Sequence, residues 1–167
     1  FTTWHSQHNA AVDAATQRLA DQDIRAMRID WREDVHKWHP GQKWIWEAGG
    51  FGVFDPGINA LSIATRIMPK PLTIKKAQLT IAENHKSPIA VDLEFGEGLS
   101  AHFDWRETGA ECWRIEVQTT RETLILDKGG SALWMNDRCE IAVPSREYQS
   151  IYNHFASLLR TRQSHVD

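Results

Sequence analysis

The stretch Val91-Asp92-Leu93-Glu94-Phe95 decides the fold. Its apolar residues fall on alternate positions, so an extended strand puts them on one face and the acids on the other. The same period of two recurs downstream. Phe103 and Trp105 alternate with His102, Asp104 and Arg106; Trp113, Ile115 and Val117 alternate with Arg114, Glu116 and Gln118; Leu124 and Leu126 continue the series. Gly96-Glu97-Gly98, Thr108-Gly109 and Gly129-Gly130 separate the runs. From 72 to about 141 the pattern predicts an antiparallel meander with one apolar and one polar face.

Outward from this sheet the period becomes helical. Residues 9–20 predict a helix with Asn9 as N-cap and Val12, Ala15 and Leu19 on one stripe. A strand from Ile24 to Trp31 follows, and then a polar, aromatic stretch over 32–47 in which Pro40-Gly41 marks a turn. After the loop Gly49-Gly50-Phe51-Gly52, Asp55-Pro56 reads as an N-cap and first helical position. That helix is expected to run to about Met68, where Pro69 and Pro71 stop it. A last helix over about 145–161 presents Tyr148, Ile151, Tyr152, Phe155, Leu158 and Leu159 at helical spacing. Phe1 to Trp4 reads as a buried strand end. The fold class is α+β, a mostly antiparallel sheet with helices packed on its apolar face, in a single domain spanning 1–167.

Composition sets the outer bounds. A chain of 167 residues suits one domain; at that size roughly 68–70% of the unfolded surface is hidden on folding. The net charge of −3 argues against nucleic acid as partner. No apolar run approaches the ~18 residues of a membrane span. Two cysteines, Cys112 and Cys139, are too few for a disulfide framework, so they read as small apolar fillers in a reducing, cytoplasmic protein. His154 and His165, near the C-terminus, read as solvated. The opening Phe1-Thr2-Thr3-Trp4 has neither Met nor a signal-type segment and reads as the continuation of a longer chain.

Chemistry has few places to sit. The sequence contains no G-x-G-x-x-G, G-x-x-x-x-G-K-[ST], H-E-x-x-H or G-x-S-x-G. One candidate set is Asp55 and Asn59, four residues apart and so on one helix face, where a carboxylate and a carboxamide could grip adjacent hydroxyls. The bland alternative makes Asp55 a helix cap and Asn59 a surface residue. A second set is Trp31, Glu33, His36, Trp38, His39, Trp44 and Trp46. Indole faces interleaved with acids and imidazoles suit sugars, although most of these tryptophans are expected to be structural. The pairs His5/His8 and His36/His39 have H-x-x-H spacing, but neither has the third ligand and cysteine company of a metal site.

The run Gly49-Gly50…Asp55-Pro56-Gly57-Ile58-Asn59…Ile63 resembles the G-G-x-x-x-x-D-x-G-x-H helix of the Gfo/Idh/MocA family of sugar dehydrogenases. Thr3-Trp4-His5-Ser6-Gln7-His8-Asn9-Ala10-Ala11-Val12 resembles that family's junction between its two domains. Trp31-Arg32-Glu33-Asp34, His36-Lys37-Trp38-His39-Pro40-Gly41 and Trp44-Ile45-Trp46-Glu47 are similar to the branch of bacterial aldose 1-dehydrogenases. The resemblance implies a C-terminal substrate and dimerisation domain. The Rossmann domain that binds NAD or NADP, with the lysine of its E-K-P motif, and the family's last helix are expected to lie outside this chain. It implies that Asp55 works at the reacting C1 hydroxyl beside that lysine. Asn59 stands where most members carry histidine; it can orient a sugar but cannot take its proton. Glu33, Trp38 and His39 fall at or beside sugar-contacting positions, and His5 lies near the nicotinamide. The implied partners are a monosaccharide substrate and a second copy joined through the sheet face, with no nucleic acid or membrane, and the isolated chain is expected to be inactive. Two further readings stay open on the residues alone: a non-catalytic carbohydrate-binding module, from the tryptophan-rich stretch, and a metallohydrolase built on the histidine pairs.

Overall fold

A computed structural model describes residues 1–166. Eight strands form one sheet: β1 (Ile24–Arg32), β2 (Lys76–Thr80), β3 (Ala90–Gly96), β4 (Leu99–Asp104), β5 (Cys112–Thr119), β6 (Thr123–Asp127), β7 (Ala132–Met135) and β8 (Arg138–Ala142). Four α-helices accompany them: α1 (Val12–Leu19), α2 (Val35–Trp38), α3 (Phe54–Ile67) and α4 (Glu147–Thr161). Class α+β and the mostly antiparallel sheet stand as the sequence predicts.

The meander does not. The strand order is β2-β3-β4-β1-β5-β6-β7-β8, so β1 is inserted between β4 and β5. It runs parallel to β4, with Met27 opposite Leu99 and Trp31 opposite Phe103, and antiparallel to β5, with Ile29 opposite Ile115. Residues 105–111 carry the chain past the inserted strand. Alternation fixes which side chains point inward but says nothing about which strand lies alongside, so two short meanders flanking β1 have the same sequence signature as one long meander.

The inner face is the core. Met27, Ile29, Trp31, Val91, Leu93, Phe95, Phe103, Ile115, Val117, Leu124 and Leu126 are buried there. α1 lays Val12, Ala15 and Leu19 on this face, and α3 adds Ala60, Ile63, Ala64 and Ile67. α3 comes close because Gly57 has no side chain: a Cβ there would lie 2.8 Å from Cδ2 of the fully buried Phe103.

Several local expectations need correction. α1 starts at Val12, with Ala11 at its N-cap. Asn9 is buried and turned into the fold, donating to the carbonyl of Gly129 at 2.8 Å and accepting from Ser145 Oγ at 2.9 Å. α3 starts two residues early, with Val53 at the N-cap and no side-chain cap, so Asp55 is free for another role. Its end is as expected: Met68 is extended (φ −77°, ψ 129°), as a residue before proline prefers to be. α4 does not pack on the sheet. It rests against the short 3-10 turn Ser6–His8 and buries only Leu158, leaving Tyr148, Tyr152, Phe155 and Leu159 exposed. Phe1 and Trp4 are exposed, with Thr2 bridged to Val166. His154 and His165 are not freely solvated: their rings lie 5.3 and 6.3 Å from that of Phe1. Cys139 is exposed on β8, and Cys112 is half-buried with its thiol toward the carbonyl of Asp30, so neither is a core filler. No helix among the described residues is long and apolar enough to cross a membrane.

Gly57→Ala tests the close approach of α3. Alanine favours a helix by up to about 1 kcal/mol over glycine, but overpacking a closed core costs about 1–3 kcal/mol. The Phe103 ring is fully buried, so the variant is expected to be net destabilised by about 1 kcal/mol, read as a lowered urea midpoint at unchanged m-value.

Candidate active site

The C-terminal ends of β1 and β4 and the N-terminal end of the antiparallel β5 lie at one cavity of about 490 Å³. It is lined by Glu33, Trp38 and His39 from the segment after β1, Asp55 and Asn59 from the first turns of α3, and His5 from the turn before α1. All six residues singled out in the sequence therefore share one pocket. His36 and Trp44, from the same tryptophan-rich stretch, are not among its lining residues. Trp46 stands behind it, edge-on to Trp105 at 5.3 Å and stacked on His85 at 4.1 Å.

Asp55 makes its side-chain contact across the pocket and not with its own helix. His39 Nε2 lies 3.0 Å from Asp55 Oδ2. The other ring nitrogen, Nδ1, lies 3.2 Å from Gln42 Oε1, whose orientation is fixed by the Trp44 indole donating to the same oxygen at 3.1 Å. One helical turn on, Asn59 offers a buried Oδ1 with no hydrogen-bond partner. A buried orphan acceptor costs roughly 1–3 kcal/mol, and a hydroxyl entering the pocket could satisfy it.

Glu33 is 6% exposed yet keeps both oxygens occupied. Trp105 Nε1 donates to Oε1 at 3.1 Å and Trp113 Nε1 donates to Oε2 at 2.8 Å. Burial pushes the Glu33 carboxyl above the usual carboxylate range, against the pull of the two indoles. Trp38 faces the Trp113 ring at 5.6 Å and donates its own N–H to Glu111 at 2.7 Å. It is 44% exposed and forms an accessible aromatic wall.

The far wall is invisible to motif reading. It comprises Asn9, Lys128, Gly129, Ser145, Glu147 and Tyr148, drawn from three segments distant in sequence. His5 Nδ1 lies 3.1 Å from Glu147 Oε1, its ring is stacked on Tyr148 at 5.6 Å, and Ser145 Oγ donates to Glu147 Oε2. No local pattern announces Glu147. The buried Asn9, which holds both the Gly129 turn and Ser145, helps tie these segments together, alongside the His5–Glu147 contact. Among the described residues, no group of three or more His, Cys, Asp or Glu side chains converges as a metal site would require.

The hydrogen bond from His5 comes first, ahead of those from Ser145 and Asn9, in holding the Glu147 carboxyl below its ordinary value. A carboxylate depressed in the folded state stabilises the fold above the ordinary carboxylate range and loses that contribution as pH falls through the lowered value. Glu147→Gln is therefore expected to cost about 1 kcal/mol near neutral pH. The gap from the unchanged protein should close in acid, as read from paired denaturation curves at several pH values.

No protein-family model matches the chain. In sequence, 161 residues, 94% of the chain, are 41% identical to a galactose 1-dehydrogenase from Pseudomonas fluorescens and cover 53% of it. The crystal structure of D-galactose-1-dehydrogenase from Rhizobium etli matches with a TM-score of 0.92 and 44% identity, over 99% of this chain and 54% of that one. An aldose-aldose oxidoreductase from Caulobacter crescentus, solved with glycerol, shares the fold at a TM-score of 0.72 and 17% identity, over 96% of this chain and 53% of its own. The chain thus spans about half the length of the relatives it matches. In sequence and in fold, the chain is similar to part of the galactose 1-dehydrogenases, and its structural neighbours are oxidoreductases of Gfo/Idh/MocA type.

Proposed function

We propose that this chain is the sugar-binding portion of an NAD(P)-dependent aldose 1-dehydrogenase, which oxidises the anomeric carbon of a galactose- or arabinose-type sugar to the lactone. The observation that carries the reading is the convergence of Glu33, Trp38, His39, Asp55 and Asn59 on one pocket, with the Asn59 Oδ1 acceptor buried and unpartnered. The similarity to galactose 1-dehydrogenases over nearly the whole chain supports it.

Three glycines, Gly50, Gly52 and Gly130, offer no cradle for a dinucleotide's phosphates. A phosphate cradle needs glycine N–H groups turned to open space. Here a Cβ on Gly50 would meet the carbonyl oxygen of Trp44 at 2.4 Å, one on Gly52 that of Pro88 at 2.4 Å, and one on Gly130 the Val12 side chain at 2.8 Å. These glycines are closed against protein. The cofactor belongs to another part of the enzyme, and the steps assigned to this chain involve the sugar alone.

Trp38 offers an indole face to the sugar's C–H groups, while Glu33 and Asn59 meet its hydroxyls as acceptors, Asn59 also as a donor. Asp55, coupled to His39, is the carboxylate placed to hold the proton that leaves the C1 hydroxyl. Asn59 is not a base and confines itself to orientation. His5, stacked on Tyr148 at the rim, is placed to meet the nicotinamide side of the cleft. The same reading includes a homodimer through the outer sheet face. There Arg32 and Arg114 lie among Asp30 and Glu116, a mixed-sign surface that a twofold axis can set against itself.

In the full-length enzyme, Asp55→Asn is expected to lower kcat by about 10²-fold or more, within the range of general acid–base contributions, with a small change in folding stability. Asn59→Ala is expected to raise KM more than it lowers kcat. The chain on its own is expected to reduce no NAD+ or NADP+ with galactose. An Asp55→Asn enzyme of undiminished kcat would sink the assignment of the site, and turnover by the isolated chain would sink the account of the cofactor.

A further inference from the structure

Glu33 sits at the meeting point of three strand ends. It follows β1, Trp105 follows β4, and Trp113 is the second residue of β5. Each carboxyl oxygen receives one indole N–H, at 3.1 and 2.8 Å. Both rings are themselves wedged. Trp105 is 1% exposed, edge-on to Trp46 and with its centroid 5.2 Å from that of His39. Trp113 lies 6.3 Å from Trp31 and 5.6 Å from Trp38.

We propose that Trp113 and Trp105 are positioning residues for sugar selection: their indole N–H groups fix both oxygens of Glu33, so that its remaining lone pairs become rigid acceptors for the sugar's hydroxyls. The proposal rests on the sugar-binding reading above.

A carboxylate has about four acceptor sites. Two are used by the indoles, and the others are left for ligand. An indole carries a single donor and no charge, so it fixes direction without neutralising Glu33. An arginine in the same place would neutralise the charge and could occupy both oxygens bidentately. Fixed direction is what separates epimers, because a site built around one hydroxyl leaves its own polar group unpaired when that hydroxyl points elsewhere. Trp105 does a second job: its ring packs on His39, whose Nε2 faces Asp55. The same tryptophan thus steadies the acceptor at one end of the pocket and the Asp55 partner at the other.

Several charged groups face this pocket. Glu111 lies on the β4–β5 side and favours the neutral form of Glu33; His39 opposes it. Asp55, His5, Lys128 and Glu147 line the remaining walls. The two indoles favour the charged form, and removing one shifts Glu33 further toward holding its proton.

The test is Trp113→Phe in the full-length enzyme, with Trp105→Phe, Glu33→Gln and the Trp113→Phe/Glu33→Gln pair alongside. Phenylalanine keeps a ring between Trp31 and Trp38 and removes the donor together with part of the indole's bulk, an effect that the pair with Glu33→Gln separates out. KM for the preferred aldose is expected to rise roughly tenfold, the scale of one hydrogen bond to a charged group, with kcat changed much less. Preference over the epimer at the hydroxyl met by Glu33 is expected to fall by a similar factor, and the acid limb of kcat/KM to move to higher pH. In the Glu33→Gln background, Trp113→Phe is expected to change neither selectivity nor the limb further. An infrared titration of the full-length protein without sugar, using the carboxyl band lost in Glu33→Gln, reads the same upward shift independently of catalysis. A folded Trp113→Phe enzyme with this titration, KM and selectivity all unmoved overturns the positioning role and leaves the dehydrogenase reading intact. A shifted titration in a protein that oxidises no aldose overturns the dehydrogenase reading and leaves the indole clamp on Glu33 standing. Failure of Trp105→Phe alone to fold bears only on that ring's share, because Trp113→Phe carries the test.

Discussion

The structure depends on one strand finding its slot. β1 precedes the rest of the sheet in the chain, and its backbone groups are satisfied on both sides because β4 and β5 flank it. A strand buried on one face with an unpaired edge would leave polar groups stranded, so the insertion is as much a hydrogen-bonding requirement as a packing one. Everything in the pocket's inner wall follows. Trp31 closes the core end of β1, Glu33 is the first residue past the strand, and α2 then turns Trp38 and His39 over the opening, with Asp34 capping it through the N–H of His36 at 2.8 Å. β4 and β5, held by the same strand, deliver Trp105 and Trp113 to the same corner.

α3 supplies the opposite wall, and its placement is steric. With glycine at 57 the helix settles onto Phe103, and the turn carrying Asp55 and Asn59 is brought up to the sheet end. The Asp55–His39 contact then links α3 to the segment after β1. The pocket is thus a seam between two elements that the core has already fixed, which suits a site needing placement within fractions of an ångström.

Much of this was legible in the residues. Alternation at 91–95, 113–118 and 124–126 gave the strands and their inward faces, because a period of two depends only on local backbone geometry. The spacing of Asp55 and Asn59 gave their common helix face for the same reason. What failed depended on distant partners. The insertion of β1 leaves no local trace. Asn9 resembles a cap because Asn at a helix start usually is one, and here the Gly129 carbonyl and Ser145 competed for its amide and won. Asp55 resembles a cap too, but His39 stands across the pocket from it. α4 has a helical apolar stripe like any core helix, and nothing in its own sequence says that the stripe stays exposed. The far wall, with Glu147, Ser145 and Lys128, combines residues more than a hundred positions from His5 and so has no motif at all.

The tryptophan content, odd as composition, has a physical explanation in the environment of Glu33. A buried carboxylate loses its hydration, and that loss can be offset by a cation or by neutral donors. A cation would lower its proton affinity most, but it would also compete with a ligand for the same lone pairs. Neutral indole donors offset part of the loss, which is why burial still leads in pushing Glu33 upward, and they leave acceptor capacity over. The large rings also fill the space around the carboxylate and limit its contact with solvent. Ring contacts join Trp31, Trp38 and Trp113 on one side of Glu33, and Trp46, Trp105 and His39 on the other. In most proteins a cluster of this kind would be core filler. Here the same packing that seals the end of the sheet leaves Glu33, with an indole on each oxygen, and Asn59, with its unpartnered amide oxygen, lining one cavity.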